Sequence, residues 1–199
     1  MPKVVDHEAR RRELVQATWR ILARQGPSGA TMREIAAEAG YANGALKPYF
    51  ATKADLIQAT YTYVFDRTNE RVARAATGLS GLAALDAFCR QVLPLDPVRL
   101  DEARVVIPFW QEAAHDADRA DLNNRSMEQW RESMTGWLEQ ARAARELADR
   151  VDVPTSAEAL LTFLLGAQIT AALDPAFSSP RHLERQLRAQ LDLLRKHPE

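Results

Sequence analysis

The chain has one cysteine, Cys89, in 199 residues. It can close no disulfide within itself, and its composition fits a reducing compartment, the cytoplasm. Glycine is sparse, eight in all. There is no P-loop, no Gly-rich dinucleotide turn and no nucleophile elbow. The four histidines, His7, His115, His182 and His197, are scattered, no two of them three or four residues apart. With a single thiol they match no zinc or calcium pattern, so neither a metal nor a cofactor is expected. No apolar run approaches 18 residues, so no membrane span is expected. The charged N-terminus lacks the apolar segment of a signal peptide. Internal repeats and low-complexity stretches are missing as well. Net charge is −1, so overall electrostatics does not announce nucleic acid.

What is present is a soluble globular composition, 46% hydrophobic and 27% charged. Charge is unevenly placed. Residues 1–60 carry nine Lys and Arg against six Asp and Glu, and the rest carries seventeen against twenty-one. A mildly basic N-terminal unit on an acidic body is consistent with DNA binding at one end only.

The most informative stretch is Thr31 to Phe50, TMREIAAEAGYANGALKPYF. It reads as two short helices joined by a tight turn. Thr31 and Glu34 have capping-box spacing. Ile35, Ala36 and Ala39 form the apolar side of the first helix. Gly40 falls where the backbone must turn, because glycine tolerates left-handed φ. The second helix is predicted to begin at Ala42 or Asn43, to turn Leu46 inward and to close at Tyr49 and Phe50. Asn43, Ala45 and Lys47 are left facing outward, small and polar enough for a major groove.

These residues, with LVQATWRILARQG at 14–26 and Lys53 and Leu56 beyond, resemble the N-terminal domain of the TetR family of bacterial transcriptional regulators. Two positions depart from the family's usual pattern: Ala42 stands where a Ser or Thr cap is common, and Lys47-Pro48 where an aromatic and a polar residue are common. The resemblance implies an all-α fold, with a three-helix helix-turn-helix DNA-binding domain over residues 1–51 and a helical ligand-binding and dimerisation domain over 52–199. On this basis Thr31, Arg33, Asn43, Gly44, Ala45, Lys47, Tyr49 and Lys53 are the candidate DNA-binding residues. Asn43, Ala45 and Lys47 would face bases. Thr31, Arg33, Tyr49 and Lys53 would hold phosphates.

Taken in order, residues 1–6 read as a loose arm and His7 to Gln25 as the first helix, stopped at Gly26-Pro27. Arg10, Arg11 and Arg12 make a basic cluster that is either a solvated face or a phosphate contact. Thr52 to about Thr77 reads as one long helix, about 35–40 Å at 1.5 Å per residue, with Thr52 and Asp55 as its capping pair. Lys53 sits in its first turn, where a phosphate would suit the helix dipole. Ser80 is predicted to cap a helix to about Leu93. Asp96-Pro97 opens the next, which Pro108 should kink or split. Ala117 to Leu147 is another long helical pattern. Thr155 or Ser156 is predicted to cap a helix that ends at Asp174-Pro175, and His182 to Lys196 is the last. Glu102, Glu112, Asp116 and Asp118 read as solvated, so the chain is not expected to be an enzyme.

Large apolar groups supply a candidate ligand site: Phe88, Phe109, Trp110, Trp130, Met134, Trp137 and Phe163, with His115 and the polar groups Gln111, Glu112 and Gln168 to orient a ligand. An ordinary core is the competing reading for each. Residues 157–173 are apolar nearly all round, and Leu183, Leu187, Leu191 and Leu194 make a stripe. Leu161, Leu165, Ile169 and those four leucines are the candidate dimer interface, two helices from each copy. The function expected is a homodimeric regulator, most readily a repressor, of a palindromic double-stranded DNA operator. A small hydrophobic or aromatic effector would release it, and no membrane is involved. No residue separates this from an activator, or from a DNA binder without a ligand; a helical enzyme with a DNA-binding-like fold is the least favoured alternative.

Overall fold

The computed structural model describes residues 6–196, and for Asn43 the backbone alone. Of the expected N-terminal arm only Asp6 falls within these residues, and His197 lies outside them. Among the described residues, eight α-helices and one 3-10 turn follow one another. They are α1 (His7–Gly29, broken by non-helical backbone at Gly26, φ 68, where the first helix was expected to stop), α2 (Met32–Glu38), the 3-10 turn Asn43–Leu46, α3 (Lys53–Ala75), α4 (Gly81–Val92), α5 (Pro97–Ala113), α6 (Ala117–Ala143), α7 (Val153–Leu173) and α8 (Pro180–Leu194). Among the described residues, β pairing is limited to one bridge between Leu147 and Arg195.

The chain divides into two compact units. The first is the chain up to Asp66 together with Arg104–Ala120. The second is Arg67–Ala103 together with the chain from Asp121 onward. This division falls elsewhere than the 51/52 boundary read from the sequence. Within the first unit, Tyr61 of α3 stacks on Phe109 of α5 at 3.9 Å, and Arg119 pairs with Asp55 at 3.5 Å. The first part of α3 and the second part of α5 therefore belong to the same compact unit as α1 and α2.

Most helix starts are capped locally. The Ala9 N–H donates to Asp6 Oδ1 at 2.9 Å and opens α1. Thr52 and Asp55 cap α3 reciprocally, Asp55 N–H to Thr52 Oγ1 at 3.1 Å and Thr52 N–H to Asp55 Oδ2 at 3.0 Å. Asp96 accepts from the Arg99 N–H at 2.8 Å and opens α5. Pro108 neither splits nor ends α5, which runs unbroken from Pro97 to Ala113. At α7 the cap is Asp152, accepting from Thr155 N–H at 3.0 Å, rather than Thr155 or Ser156. The helix therefore starts three to four residues before the expected position, because Pro154 fits the first turn of a helix and does not need to precede it.

The start of α4 is different. Ser80 stands at its N-cap, but its side chain makes no capping bond. Instead Gly81 N–H donates to Gln140 Oε1 at 3.2 Å and Leu82 N–H donates to Glu146 Oε2 at 2.9 Å. Gln140 lies in the last turn of α6 and Glu146 three residues past its end. That helix closes with Arg145 at φ 59, while Arg145 N–H reaches Arg142 O and Glu146 N–H reaches Ala141 O. This Schellman turn aims Glu146 at α4.

The second unit buries α8 against α4 and α7. Leu183, Leu187, Leu191 and Leu194 are 1%, 0%, 3% and 9% exposed. At about 2 kcal/mol for each fully buried leucine, this stripe is a principal source of the unit's stability. α7 corrects one expectation. It is 21 residues long, and over 18 of them its mean hydropathy reaches 1.4, enough to cross a membrane by length and composition only. In this fold Val153, Ala157, Leu160, Leu161, Leu164 and Ala171 are buried, whereas Ile169 and Leu173 remain exposed.

Gly81 has φ +57, and a Cβ there would lie 2.7 Å from Glu146 Oε2. Gly81→Ala is therefore expected to destabilise the protein by about 2 kcal/mol, from the left-handed backbone and the displaced cap together. Urea denaturation followed by circular dichroism checks this.

Candidate nucleic-acid interface

The helix-turn-helix is assembled by local chemistry. Thr31 Oγ1 accepts from Glu34 N–H at 3.2 Å, and Glu34 Oε2 accepts from Thr31 N–H at 3.1 Å and from the Thr31 hydroxyl at 2.6 Å. These bonds from Thr31 hold the Glu34 carboxyl below its ordinary range. α2 ends in a second Schellman turn. Gly40, at φ +77, donates its N–H to Ala37 O at 3.0 Å, and Tyr41 N–H reaches Ala36 O at 2.8 Å.

The recognition segment is shorter than expected. In place of a helix from Ala42 to Phe50 there is one 3-10 turn, Asn43–Leu46, continued by Tyr49 and Phe50 N–H bonds to Leu46 O, both 2.9 Å. Three residues account for this. Ala42 offers no side-chain cap. Gly44 weakens a helix interior. Pro48 has no N–H to give to the carbonyl four residues back. Leu46 and Phe50 are buried at 0% and 2% exposure and fix the segment to the core. Gly44, Lys47 and Pro48 are exposed, and Ala45 is half-buried. The side chain of Asn43 lies outside the described residues.

α1 clamps this segment from behind. Arg11 donates to Tyr49 O at 2.7 Å and lies 4.2 Å over the Phe50 ring. Arg10 lies 5.3 Å over the Tyr41 ring, and the Tyr41 hydroxyl donates to Glu13. That bond pushes the Tyr41 phenol up. His7 contacts the Tyr49 ring at 5.3 Å. Two of the three clustered arginines thus have partners within the fold. Arg20 and Arg24 both pair with Glu38, each at 2.7 Å, and join α1 to α2. Arg33 is exposed. Lys53 donates to Pro27 O, which uses one of the three hydrogens of its ammonium.

The aromatic candidates separate. In the second unit Phe88 meets Trp130 edge-on at 5.5 Å and Trp137 at 5.5 Å, beside fully buried Met134. Phe163 is half-buried on α7. In the first unit Phe109 is stacked on Tyr61, Trp110 is half-buried, and Gln111, Glu112 and His115 are exposed. The polar groups expected to orient a ligand beside the rings are therefore on the surface of the other unit, except Gln168, which is buried on α7. Helical spacing shows which residues share a face and leaves open which core they enter. A surface groove of about 730 Å³ in the second unit is lined by Asp86, Arg90, Glu146 and Lys196 and by none of these rings. Glu102, read as solvated, is 5% exposed and forms a two-pronged pair with Arg71 at 2.8 and 2.6 Å. The dimer candidates divide too. Leu161, Leu183, Leu187, Leu191 and Leu194 face the chain's own interior, Leu165 is half-buried and Ile169 is 41% exposed.

A helix-turn-helix feeding a long helix defines a DNA-binding transcriptional regulator. Residues 14–60 match the family model described as bacterial regulatory proteins of the tetR family, and residues 81–196 match the C-terminal domain of BetI-type transcriptional repressors. The chain belongs to the TetR family, whose members here are regulators and not enzymes. It is 28% identical over 186 residues to the HTH-type regulator PksA of Bacillus subtilis, covering 93% of this chain and 89% of that one. It is 31% identical over 121 residues to BetI of Pseudomonas fluorescens, covering 59% and 61%. Among solved structures it is similar to a regulator from Rhodococcus sp. Rha1 (TM-score 0.82, 27% identity, 92% and 95% covered). It is also similar to one from Saccharomonospora viridis in complex with choline (TM-score 0.87, 20% identity, 96% and 99% covered).

The pair of arginines on Glu38 lowers its carboxyl below the ordinary 4.5, Arg20 contributing first. A lowered carboxyl stabilises the fold above its ordinary pKa, and that contribution is lost as pH falls through the lowered value. The stability difference between the protein and its Glu38→Gln variant should be constant at neutral pH and should shrink below about pH 4.5. Thermal melts across a pH series check this.

Proposed function

We propose that this protein is a cytoplasmic homodimeric repressor that binds a palindromic operator and leaves it when a small apolar or aromatic ligand binds. The carrying observation is the helix-turn-helix that turns Gly44 and Lys47 outward while Leu46 and Phe50 anchor it and Arg33 is exposed nearby in sequence. Lys47 reads base edges, guanine above all, with Asn43 and Ala45 beside it. Arg33, Thr31, Tyr49 and the remaining hydrogens of Lys53 hold phosphates. Two such segments, one per subunit, would enter successive major grooves about 34–36 Å apart. The match to a BetI-type repressor domain supports repression over activation.

The dimer reading rests on α7 and the turn after it. Ile169, Leu173 and Phe177 are 41%, 79% and 68% exposed, an apolar run only partly covered in the single chain. The four leucines of α8 serve the dimer indirectly, by seating that helix. The ligand reading rests on Phe88, Trp130, Met134 and Trp137. Such rings also hold quaternary ammonium cations by cation–π attraction. The choline bound to the Saccharomonospora viridis regulator of the same fold supports including cations among the ligands to screen. The switch is geometric: ligand binding pivots α3 and changes the spacing of the two recognition segments, by no more than the ligand's differential affinity for the two spacings.

The test is binding to DNA immediately upstream of the protein's own gene, across a salt series. The expected result is tight, sequence-dependent binding with a linear log–log salt slope. Arg33→Ala should reduce that slope by about one, and Lys47→Ala should cost roughly 1–3 kcal/mol and relax discrimination at one base pair. Equal affinity for operator and random DNA would overturn the assignment.

A further inference from the structure

In the second unit two polar contacts of α3 lie two residues apart. The Trp130 indole N–H donates to Asn69 Oδ1 at 2.8 Å. Arg71 grips both carboxylate oxygens of Glu102 and reaches Thr68 Oγ1 at 3.1 Å and the Gln91 carbonyl at 3.4 Å. Successive residues of an α-helix are about 100° apart, so Asn69 and Arg71 leave α3 about 200° apart, on opposing sides. Between them Thr68 and Val72 are buried at 5% and 8% exposure. One side of the grip is an ion pair with a nearly buried carboxylate. The other is a single neutral hydrogen bond, the weaker of the two.

That weaker contact is made by a ring with a second engagement. Trp130 is 6% exposed and lies edge-on to Phe88, which also contacts Trp137. A rigid indole cannot shift against Phe88 without moving its own N–H. α3 is one helix from Lys53 to Ala75, so residues 53–66 of the first unit and Asn69 of the second lie on the same helix.

We propose that the Trp130–Asn69 hydrogen bond couples the aromatic cluster to α3, with the Arg71–Glu102 pair as the fixed pivot. A ligand seated against Phe88, Trp130 and Trp137 then acts on operator affinity through Asn69. Asn69 is a positioning residue that touches neither ligand nor DNA. The inference rests on the reading of these rings as the ligand site and of the helix-turn-helix as the operator reader.

The experiment compares the full-length protein with Asn69→Leu, Trp130→Phe, the double variant and Asn69→Asp. Two quantities are measured: operator affinity by fluorescence anisotropy, and backbone amide exchange over residues 53–66. Asn69→Leu and Trp130→Phe should change operator affinity by the same factor, about two- to tenfold for one neutral hydrogen bond. The double variant should change it no further, and the salt slope should stay constant. Both should raise exchange over 53–66, while Asn69→Asp, which keeps an acceptor, should stay within about twofold of the parent. Wild-type affinity in both single variants, additive effects in the double, or an Asn69→Asp effect equal to that of Asn69→Leu would each overturn the coupling. If Asn69→Leu does not fold by circular dichroism, Trp130→Phe alone decides. If the parent protein binds no operator, the DNA reading has failed and exchange over 53–66 decides the coupling by itself.

Discussion

One helix has to satisfy two cores. α3 presents Leu56, Ile57, Tyr61, Val64 and Phe65 to the first unit, and Thr68 and Val72 to the second, along one face at helical spacing. Breaking it anywhere would expose backbone groups in addition to apolar surface. That constraint explains the strength of its start. The Thr52–Asp55 capping box fixes the first turn, directly after the recognition segment. It also gives the DNA-reading turn a rigid neighbour, which so short a segment needs. A single 3-10 turn has too few hydrogen bonds to hold itself. Leu46, Phe50 and the overlying Arg11 hold it instead.

The same economy appears in the use of arginine. Arg11, Arg20, Arg24 and Arg71 all join elements from different parts of the chain. The guanidinium suits this work because its donors are several, planar and permanently charged. The exposed pairs contribute little each. The Arg71–Glu102 pair is of another kind, because removing either partner would leave a charge in a poorly hydrated place. Positive charge in the N-terminal unit therefore serves two ends, and only Arg33 and Lys47 combine exposure with the recognition elements.

Much of this was legible in the sequence because the signals are local. The Thr31–Glu34 box, the Gly40 turn, the inward Leu46, the Thr52–Asp55 cap and the Asp96-Pro97 helix start each lie within four residues of what they control. What was missed is long-range. The shortness of the recognition turn did follow from Gly44 and Pro48, but their joint effect outweighed a family pattern that suggested a full helix. The separation of Phe109 from Phe88 could not be read, because periodicity names a face and not its partner. Glu102 looked like one more surface carboxylate until Arg71, 31 residues away, was seen beside it.

The cap of α4 carries a consequence for how the chain is made. α2 and α3 can complete their first turns from residues three positions away, and so can form as soon as those residues exist. α4 cannot. Its first two amide groups wait for Gln140 and Glu146, 59 and 64 residues later. The backbone of Glu146 is joined in turn to Lys196. As the chain leaves the ribosome, the helix-turn-helix has its caps early and its unit is complete once Ala120 has emerged, while the second unit is finished only when the last helix arrives. Such distant closures slow folding. A nascent or C-terminally clipped chain would therefore carry an assembled helix-turn-helix on an unfinished body, and quality control would meet it in that form.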